Sequence, residues 1–129
     1  MNKNANGLGI KEVRFYAVTG AKTKNNGIII GTSSLTSYGK NTVLQNDIVT
    51  YSDGSTAFVM PDPTTRMTTK INGKTHSIAA CGTLISNGDA ITDAGQTSMA
   101  LIIFEDNVGM CSLLDEGEYE ELKANRVIR

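Results

Sequence analysis

MTTKINGK, residues 67–74, is the stretch that indicates the fold most directly, because an Asn-Gly pair follows a run rich in Thr. Asn72 and Gly73 accept the positive φ angles that a two-residue type I′ turn requires, so the pair predicts a β-hairpin. A related reversal, Tyr38-Gly39-Lys40, stands 34 residues earlier, again after a stretch of Thr and Ser. The two signals predict a chain built from short β-hairpins, in which one supersecondary unit is used more than once.

A second pattern points to the same repetition. Asn26-Gly27 is followed by isoleucines at 28–30, and Cys81-Gly82 is followed by β-forming residues at 83–85. Each copy therefore has a small or polar residue, a glycine and three β-formers. We expect the two copies to occupy equivalent places in one all-β body, which we place at residues 13–106.

The composition limits the class of protein. With 129 residues the chain forms one domain, and its 5% aromatic residues and 13 glycines suit narrow sheets rather than a wide ligand cavity. The formal net charge of −1 argues against nucleic-acid binding, which needs a basic surface. Residues 1–104 carry nine Lys or Arg and six Asp or Glu, whereas residues 105–129 carry three and seven, so acidity is concentrated at the C-terminus.

The N-terminal residues and the cysteines bear on localisation. Residues 1–12 contain Asn, Lys and Gly without an apolar core, so we expect a flexible tail and no signal peptide. No window approaches the roughly 18 consecutive apolar residues of a membrane helix. We therefore expect synthesis in the cytoplasm, with any later export by another route. Cys81 and Cys111 lie 30 residues apart without a CxxC motif, and a single disulfide between them stays open.

Residues 107–129 differ in pattern from the rest of the chain. From Ser112 onward apolar residues recur at a period near 3.6, with acidic residues early and basic residues late, as the helix dipole favours. Gly117 inside the pattern weakens the helix by about 1 kcal/mol relative to Ala. We expect one short acidic helix in this C-terminal extension.

Groups suited to acid–base or nucleophilic chemistry are few. The candidates for acid–base work are Asp47, Asp53, Asp62, Asp89, Asp93 and His76, but most of these Asp residues stand in turn-like stretches with Gly, Asn or Pro, where turn formation is the simpler role. His76 and Cys81 are close in sequence and make half of a nucleophilic pair, without a recognisable group to orient the base. The glycines form neither a P-loop nor a dinucleotide-binding motif.

In their order along the chain, these pieces resemble the PAAR-repeat family, small cone-shaped proteins that cap the spike of type VI secretion systems and of some contractile phage tails. The resemblance covers about residues 13–104. Its parts are the opening stretch 16–26, the Gly39-Lys40 reversal, Asn46-Asp47 in the place of a recurring Gly-Asp pair, the string 71–74 and the element CGTLIS at 81–86. It implies a small cone-shaped fold of short β-hairpins with pseudo-three-fold repeats, to which the C-terminal pattern adds a short helix.

Members of this family typically bind zinc near the tip through three histidines and one cysteine. Cys81 matches the cysteine, but Asn25 or Asn26 stands at the first histidine position, and residues 51–55 contain no histidine. His76 lies outside the matched positions. We expect no metal cofactor, or else an atypical zinc or iron site that uses Cys81 and His76. In the metal-free case Cys81 is a small buried hydrophobic residue.

The resemblance implies a non-enzymatic structural protein: a monomer bound on a trimeric β-helical spike, which it sharpens for puncture of a target membrane. We expect exposed strand edges to pair with the spike by β-augmentation. The expected contact residues come from three quasi-equivalent segments, 28–30, 57–60 and 84–85, namely Ile28, Ile29, Ile30, Phe58, Val59, Leu84 and Ile85. The alternatives are a small β-rich enzyme or ligand-binding module using His76 and Cys81, and a virion component without a puncturing role.

Overall fold

Short antiparallel strands make up most of the protein. The computed structural model describes residues 9–128, and it confirms the prediction of an all-β protein with one short C-terminal helix. In chain order the elements are β1 (Ile10–Phe15), β2 (Ala21–Thr23), β3 (Ile28–Ile29), β4 (Thr36–Ser37), β5 (Lys40–Asn41), β6 (Ile48–Thr50), β7 (Thr56–Phe58), a 3₁₀ turn (Pro63–Thr65), β8 (Thr68–Ile71), β9 (Lys74–Ser77), β10 (Ile91–Asp93), β11 (Met99–Phe104), β12 (Gly109–Leu113) and α1 (Glu116–Ala124).

The two predicted reversals are tight two-residue turns. Tyr38 and Gly39, with φ angles of 53° and 74°, join β4 to β5, and Asn72 and Gly73, at 52° and 78°, join β8 to β9. Two consecutive residues with positive φ match the right-handed twist of the strands that they connect. Gly and Asn adopt this conformation readily, whereas Tyr38 adopts it against the steric preference of its Cβ.

Three segments of the chain meet in a closed ring of backbone hydrogen bonds. The N–H of Ala17 donates to the carbonyl of Ala79 at 3.0 Å, that of Ala79 donates to Val43 at 2.9 Å, and that of Val43 donates to Ala17 at 2.9 Å. Each residue is used once as donor and once as acceptor, so the three positions are equivalent about an axis. We call these three residues the central ring; none is more than 1% exposed.

Each ring residue belongs to a unit with the same order of parts: an antiparallel strand pair, the ring segment, a tight turn and a hairpin. The strand pair is β11–β1 in the first unit, β4–β5 in the second and β8–β9 in the third. The turn after the ring is closed at 2.9–3.0 Å by three equivalent N–H to carbonyl bonds, Ala21 to Val18, Asp47 to Leu44 and Thr83 to Ala80. The protein thus has the expected pseudo-three-fold repeat. The first unit differs from the other two because one strand of its pair, β11, comes from a distant, C-terminal part of the chain.

The hairpins of the three units form a closed barrel. Five strands lie in the order β10-β2-β3-β6-β7. Bridges from Val59 to Ile85 and from Leu84 to Ala90 connect β7 back to β10 and complete the circle. The centre of the barrel is filled by small and β-branched residues that are at most 8% exposed, among them Ala21, Ile29, Val49, Ala57, Val59, Ile85 and Ile91. Such a narrow core explains why the chain needs few aromatic residues.

The expected equivalence between Asn26-Gly27 and Cys81-Gly82 is wrong. Gly82 lies in the tight turn after the central ring, where its counterparts are Gly20 and Asn46; the three φ angles are 92°, 95° and 74°. Asn26-Gly27 lies instead in the loop of the first barrel hairpin. The repeat visible in the sequence is shorter: two aliphatic residues, any residue, and then Gly or Asn, at 17–20, 43–46 and 79–82.

The C-terminal extension belongs to the main body rather than following it as a separate segment. β12 pairs with β11, and Leu122 of α1 is buried in a cluster with Val13 and Phe15 of β1. The rings of Phe15 and Tyr119 meet edge to face, with 5.7 Å between their centroids. The structure therefore has no boundary at residues 106 and 107.

The boundaries of two predicted segments also change. The helix begins after Asp115 and not at Ser112, which lies in β12; the Asp115 carboxylate accepts the N–H of Glu118 in a capping box that stabilises the first turn. At the other end of the chain, residues 10–12 are part of β1, so they are not a flexible tail. The remainder of that prediction, residues 1–8, lies outside the described residues.

Candidate functional site

The three barrel hairpins end in polar loops at the end remote from the central ring. These loops, residues 24–27, 51–55 and 86–89, are here called the loop end. Their exposed residues are Lys24, Asn25, Asn26, Ser52, Asp53, Gly54, Ser55, Ser86, Asn87 and Gly88. Each hairpin is short, since the strands that lead into the loops have only two or three residues in the first two units.

Asp89 connects all three loops. Its carboxylate accepts the Tyr51 hydroxyl at 2.7 Å and the backbone N–H of Asn25 at 3.2 Å, so one side chain of the third unit binds both other units. The side-chain amide of Asn87 donates to the Tyr51 oxygen at 3.0 Å. Asp89 is only 3% exposed. Hydrogen bonds to a buried carboxylate are charge-assisted and stronger than neutral ones.

The surroundings of Asp89 keep its carboxyl ionised. Burial raises the pKa of Asp89, but hydrogen bonds from the hydroxyls of Thr23 and Tyr51 and from the backbone N–H groups of Ala90 and Asn25 outweigh it, and the pKa lies below its usual range. Burial is also the largest cause that raises the pKa of the Tyr51 hydroxyl. At neutral pH the pair is therefore a carboxylate that accepts a hydrogen bond from a neutral phenol.

The two predicted metal ligands differ in their surroundings. His76 lies on β9 opposite Thr69, with its Nδ1 atom 3.1 Å from the carbonyl oxygen of Lys74. Cys81 is 4% exposed and belongs to a core cluster with Phe15. Within residues 9–128 no group of three or more His, Cys, Asp or Glu side chains is placed to hold a metal ion. A closed zinc site needs four donors, so the residues present do not fit the site that the family resemblance implies.

The two cysteines, both in the described part of the chain, are not joined by a disulfide. Cys111 lies on β12, and its Sγ atom is 3.0 Å from the hydroxyl of Tyr16. That hydroxyl also donates to the carbonyl of Thr65 at 2.6 Å. Burial, and then the contact with Cys111, raises the pKa of Tyr16. Tyr16 thus joins β1 to the 3₁₀ turn and to β12.

A buried ion pair lies beside the central ring, at residues whose pairing no sequence pattern indicates. Arg14 is 2% exposed, and its Nη2 atom lies 2.8 Å from Oδ2 of Asp62. The remaining guanidinium nitrogens donate to the Cys81 carbonyl at 2.7 Å and to the Thr64 hydroxyl at 2.8 Å. Oδ2 of Asp62 also accepts the Thr83 hydroxyl at 2.8 Å. These bonds connect β1, the 3₁₀ turn and the tight turn of the third unit.

The Asp carboxylates serve mainly in hydrogen bonding within turns. Asp53 accepts the backbone N–H of Ser55 at 2.9 Å, and Asp93 accepts that of Gly95 at 2.9 Å. Asp62 caps the 3₁₀ turn. Burial raises the pKa of Asp62, but hydrogen bonds from Thr64, Arg14 and Thr83 outweigh burial and keep its pKa below the usual range.

The residues expected to contact a spike fall into two groups. Side chains alternate between the two faces of a strand. Three of the seven point into the barrel and are at most 2% exposed, so their side chains cannot form an interface: Ile29, Val59 and Ile85. The other four are 44–68% exposed: Ile28, Ile30, Phe58 and Leu84.

The three expected segments are not all equivalent. Segments 28–30 and 57–60 both lie on the second strand of their hairpins, where Ile29 pairs with Val49 and Val59 pairs with Ile85. Segment 84–85 lies on the first strand of the third hairpin. The counterpart in that unit is β10, where Ile91 pairs with Thr23.

Exposed apolar side chains lie on the outside of the barrel strands, at two of the three junctions between units. We call them the apolar waist; they are 38–68% exposed and comprise Ile28, Ile30, Ile48, Phe58, Met60 and Leu84. The three isoleucines lie between the first and second units and line an open groove of about 610 Å³. At the third junction, between β10 and β2, the exposed residues are polar or charged: Lys22, Lys24, Thr92 and Asp93.

Comparisons with protein-family models, with curated proteins and with solved structures find no match to this chain. Among residues 9–128, the helix is too short and too polar to cross a bilayer. The function therefore has to be inferred from the central ring, the loop end and the apolar waist.

Proposed function

We propose that this protein is a structural tip that caps the trimeric β-helical spike of a contractile injection machine, a contractile phage tail or a type VI secretion system, and sharpens it for puncture of a target membrane. One chain binds the blunt end of one spike trimer. The role is mechanical, with no catalytic step and no nucleic-acid partner.

The central ring is the observation that carries this proposal. The end of a homotrimer presents the same surface three times around its axis. A single chain matches such a surface best when it repeats its own contacts three times. The closed hydrogen-bond ring of Ala17, Val43 and Ala79 provides that repetition within one chain. The ordered motifs of residues 13–104, which resemble the PAAR repeats, support the same role.

The distribution of side chains supports a choice of the end that contacts the spike. The loop end carries exposed Lys, Asn, Ser and Asp residues, which suit a surface in water until the moment of puncture. The apolar waist lies on the outside of the barrel strands, between the loop end and the central ring. Exposed apolar patches of this kind mark sites of protein contact. We assign the ring side and the waist to the spike, and the loop end to the tip.

Strand pairing is the proposed mode of attachment. The ribbons β4–β5 and β8–β9 are two-stranded, and β12 lies at one side of its three-stranded sheet. The outer edges of such strands offer backbone donors and acceptors to a strand of another chain. β-augmentation by the terminal strands of the spike would satisfy these groups while the waist excludes water.

Co-expression with a trimeric β-helical spike protein from the same genome tests the proposal. Size-exclusion chromatography with light scattering should give a complex of three spike chains and one copy of this chain. A monodisperse monomer that does not associate with any such trimer would contradict the proposal. The neighbouring genes also distinguish a phage tail from a secretion system.

A matched pair of variants tests the assigned surface. Ile30→Glu with Leu84→Glu places charges on the waist at two junctions and should abolish the complex. Val108→Glu changes a comparably exposed apolar residue, 52% exposed in the turn between β11 and β12, and should leave the complex intact. Equal loss of binding in both proteins would show that the waist is not the contact surface.

A further inference from the structure

The loop end has little backbone pairing of its own. β2 and β3 have three and two residues, and the strands beside the second loop, β6 and β7, have three each. Isolated hairpins of this size are marginally stable in water. Three such loops at one end of a barrel therefore need bonds between units to stay together.

Ser86 and Phe58 join the third unit to the second through two hydrogen bonds, and further bonds from both other units meet at Asp89 and Ala90. The N–H of Lys24 donates to the Ala90 carbonyl at 2.9 Å, and the N–H of Asn25 donates to the Asp89 carboxylate at 3.2 Å. The second unit contributes the Tyr51 hydroxyl, 2.7 Å from the other carboxylate oxygen. Asp89 and Ala90 of the third unit thus bind the loops of both other units.

Both oxygens of this carboxylate have hydrogen-bond partners within the protein. Oδ1 accepts the N–H groups of Asn25 and Ala90, and Oδ2 accepts the Tyr51 hydroxyl. The side chain of Asn87 supports the arrangement, because its oxygen accepts the N–H of Asp89 while its nitrogen donates to Tyr51. A metal ion would have to displace these donors in order to bind the carboxylate.

We propose that Asp89 and Tyr51 form a metal-independent joint that closes the loop end. The buried carboxylate of Asp89 links the three short loops. In proteins with a tetrahedral metal site, a coordinated metal ion provides a link of this kind. This inference does not depend on the identity of the partner at the other end of the barrel.

Amide hydrogen exchange followed by NMR tests the joint. The substituted residues lie in the second and third units, whereas the amides whose exchange is measured lie in the first unit. Asp89→Asn removes the charge, and Tyr51→Phe removes one hydroxyl. Both should accelerate exchange of the Lys24 and Asn25 amides of the first unit by about 10-fold, because local opening sets their protection. Unchanged exchange at these amides in both variants would overturn the proposal.

Two controls separate the joint from general effects. Asp53→Asn changes an exposed carboxylate of the second loop that bonds only to Ser55, and Tyr38→Phe changes a 74% exposed tyrosine in the β4–β5 turn. In both control variants the exchange rates of the Lys24 and Asn25 amides should stay within about twofold of those in the original protein. The amides of the central ring report global unfolding. If ring and loop amides accelerate by the same factor in Asp89→Asn, the effect is global and the proposal is wrong.

Elemental analysis and chelation test the absence of a metal requirement. The purified full chain should contain less than about 0.1 equivalent of zinc or iron, and excess chelator should leave its Tm unchanged, because removal of a metal ion bound to the folded state would lower the Tm. Stoichiometric metal together with a Tm that falls on chelation would overturn the proposal.

Discussion

Replacement of Asp62 by Ala tests how far the buried ion pair stabilises the third unit. The substitution leaves the guanidinium of Arg14, at 2% exposure, without its carboxylate. Two of the Arg14 nitrogens keep their acceptors, the Cys81 carbonyl and the Thr64 hydroxyl. The Thr83 hydroxyl loses its acceptor at the same time.

Breaking a buried pair by removing one partner costs about 3–5 kcal/mol, since a charge remains uncompensated. The Asp62 side chain is 15% exposed, so water reaches part of the site and the lower end of that range applies. We expect a loss of about 3 kcal/mol in the free energy of unfolding, which is a decrease in Tm of about 10–18 °C for a chain of this size. Asp62→Asn retains the shape of the side chain and one acceptor oxygen, so it should lower the free energy of unfolding by only about 1–2 kcal/mol.

Urea unfolding followed by circular dichroism measures these values, since the chain has no Trp. A double-mutant cycle with Arg14→Met isolates the pair and should give a coupling of about 2 kcal/mol. Asp53→Ala, at an exposed carboxylate, is the matched control. If Asp62→Ala costs no more than this control, or if the coupling is below about 0.5 kcal/mol, the pair does not stabilise the protein as argued.

Three further predictions concern packing, backbone conformation and pH. Gly31→Ala should lower the free energy of unfolding, measured in urea, by about 2–3 kcal/mol, because a Cβ there would overlap the backbone oxygen of Asn41. Tyr38→Asn should raise it by about 0.5–1 kcal/mol, because Asn tolerates the φ of 53°; no gain would show that this turn is unstrained. The pKa values of Asp62 and Asp89 are lowered on folding, so their stabilisation is present above the unfolded pKa and is lost as the pH falls through the lower folded values. Tm should therefore fall below pH 4, and the fall should be smaller in the Asp62→Asn, Asp89→Asn double variant; an equal fall would contradict this assignment.

Local sequence signals predicted those elements whose geometry depends on residues adjacent in the chain. The Tyr38-Gly39 and Asn72-Gly73 turns were predicted because two adjacent residues set the φ angles of a hairpin turn. Prediction of the C-terminal helix was correct in type but placed its start three to four residues early, because the apolar residues 113 and 114 also suit the strand that precedes it.

Prediction of equivalent positions in the repeat failed where two different local structures both need a glycine. Gly27 and Gly82 both follow a small or polar residue, yet one lies in a hairpin loop and the other in the turn after the ring. Burial of Arg14 was also missed. Its neighbours Val13 and Phe15 are buried as well, so β1 shows no alternation that would indicate which face is covered.

The sequence by itself determined the all-β class, the short hairpins and their turns, because these depend on conformational preferences of residues adjacent in the chain. Only the tertiary structure decided that three units close into a ring, that Asp89 meets Tyr51 at the loop end, and that Ile29, Val59 and Ile85 face inward. These features depend on contacts between residues about 30–60 positions apart, and their energy arises only when the units are brought together.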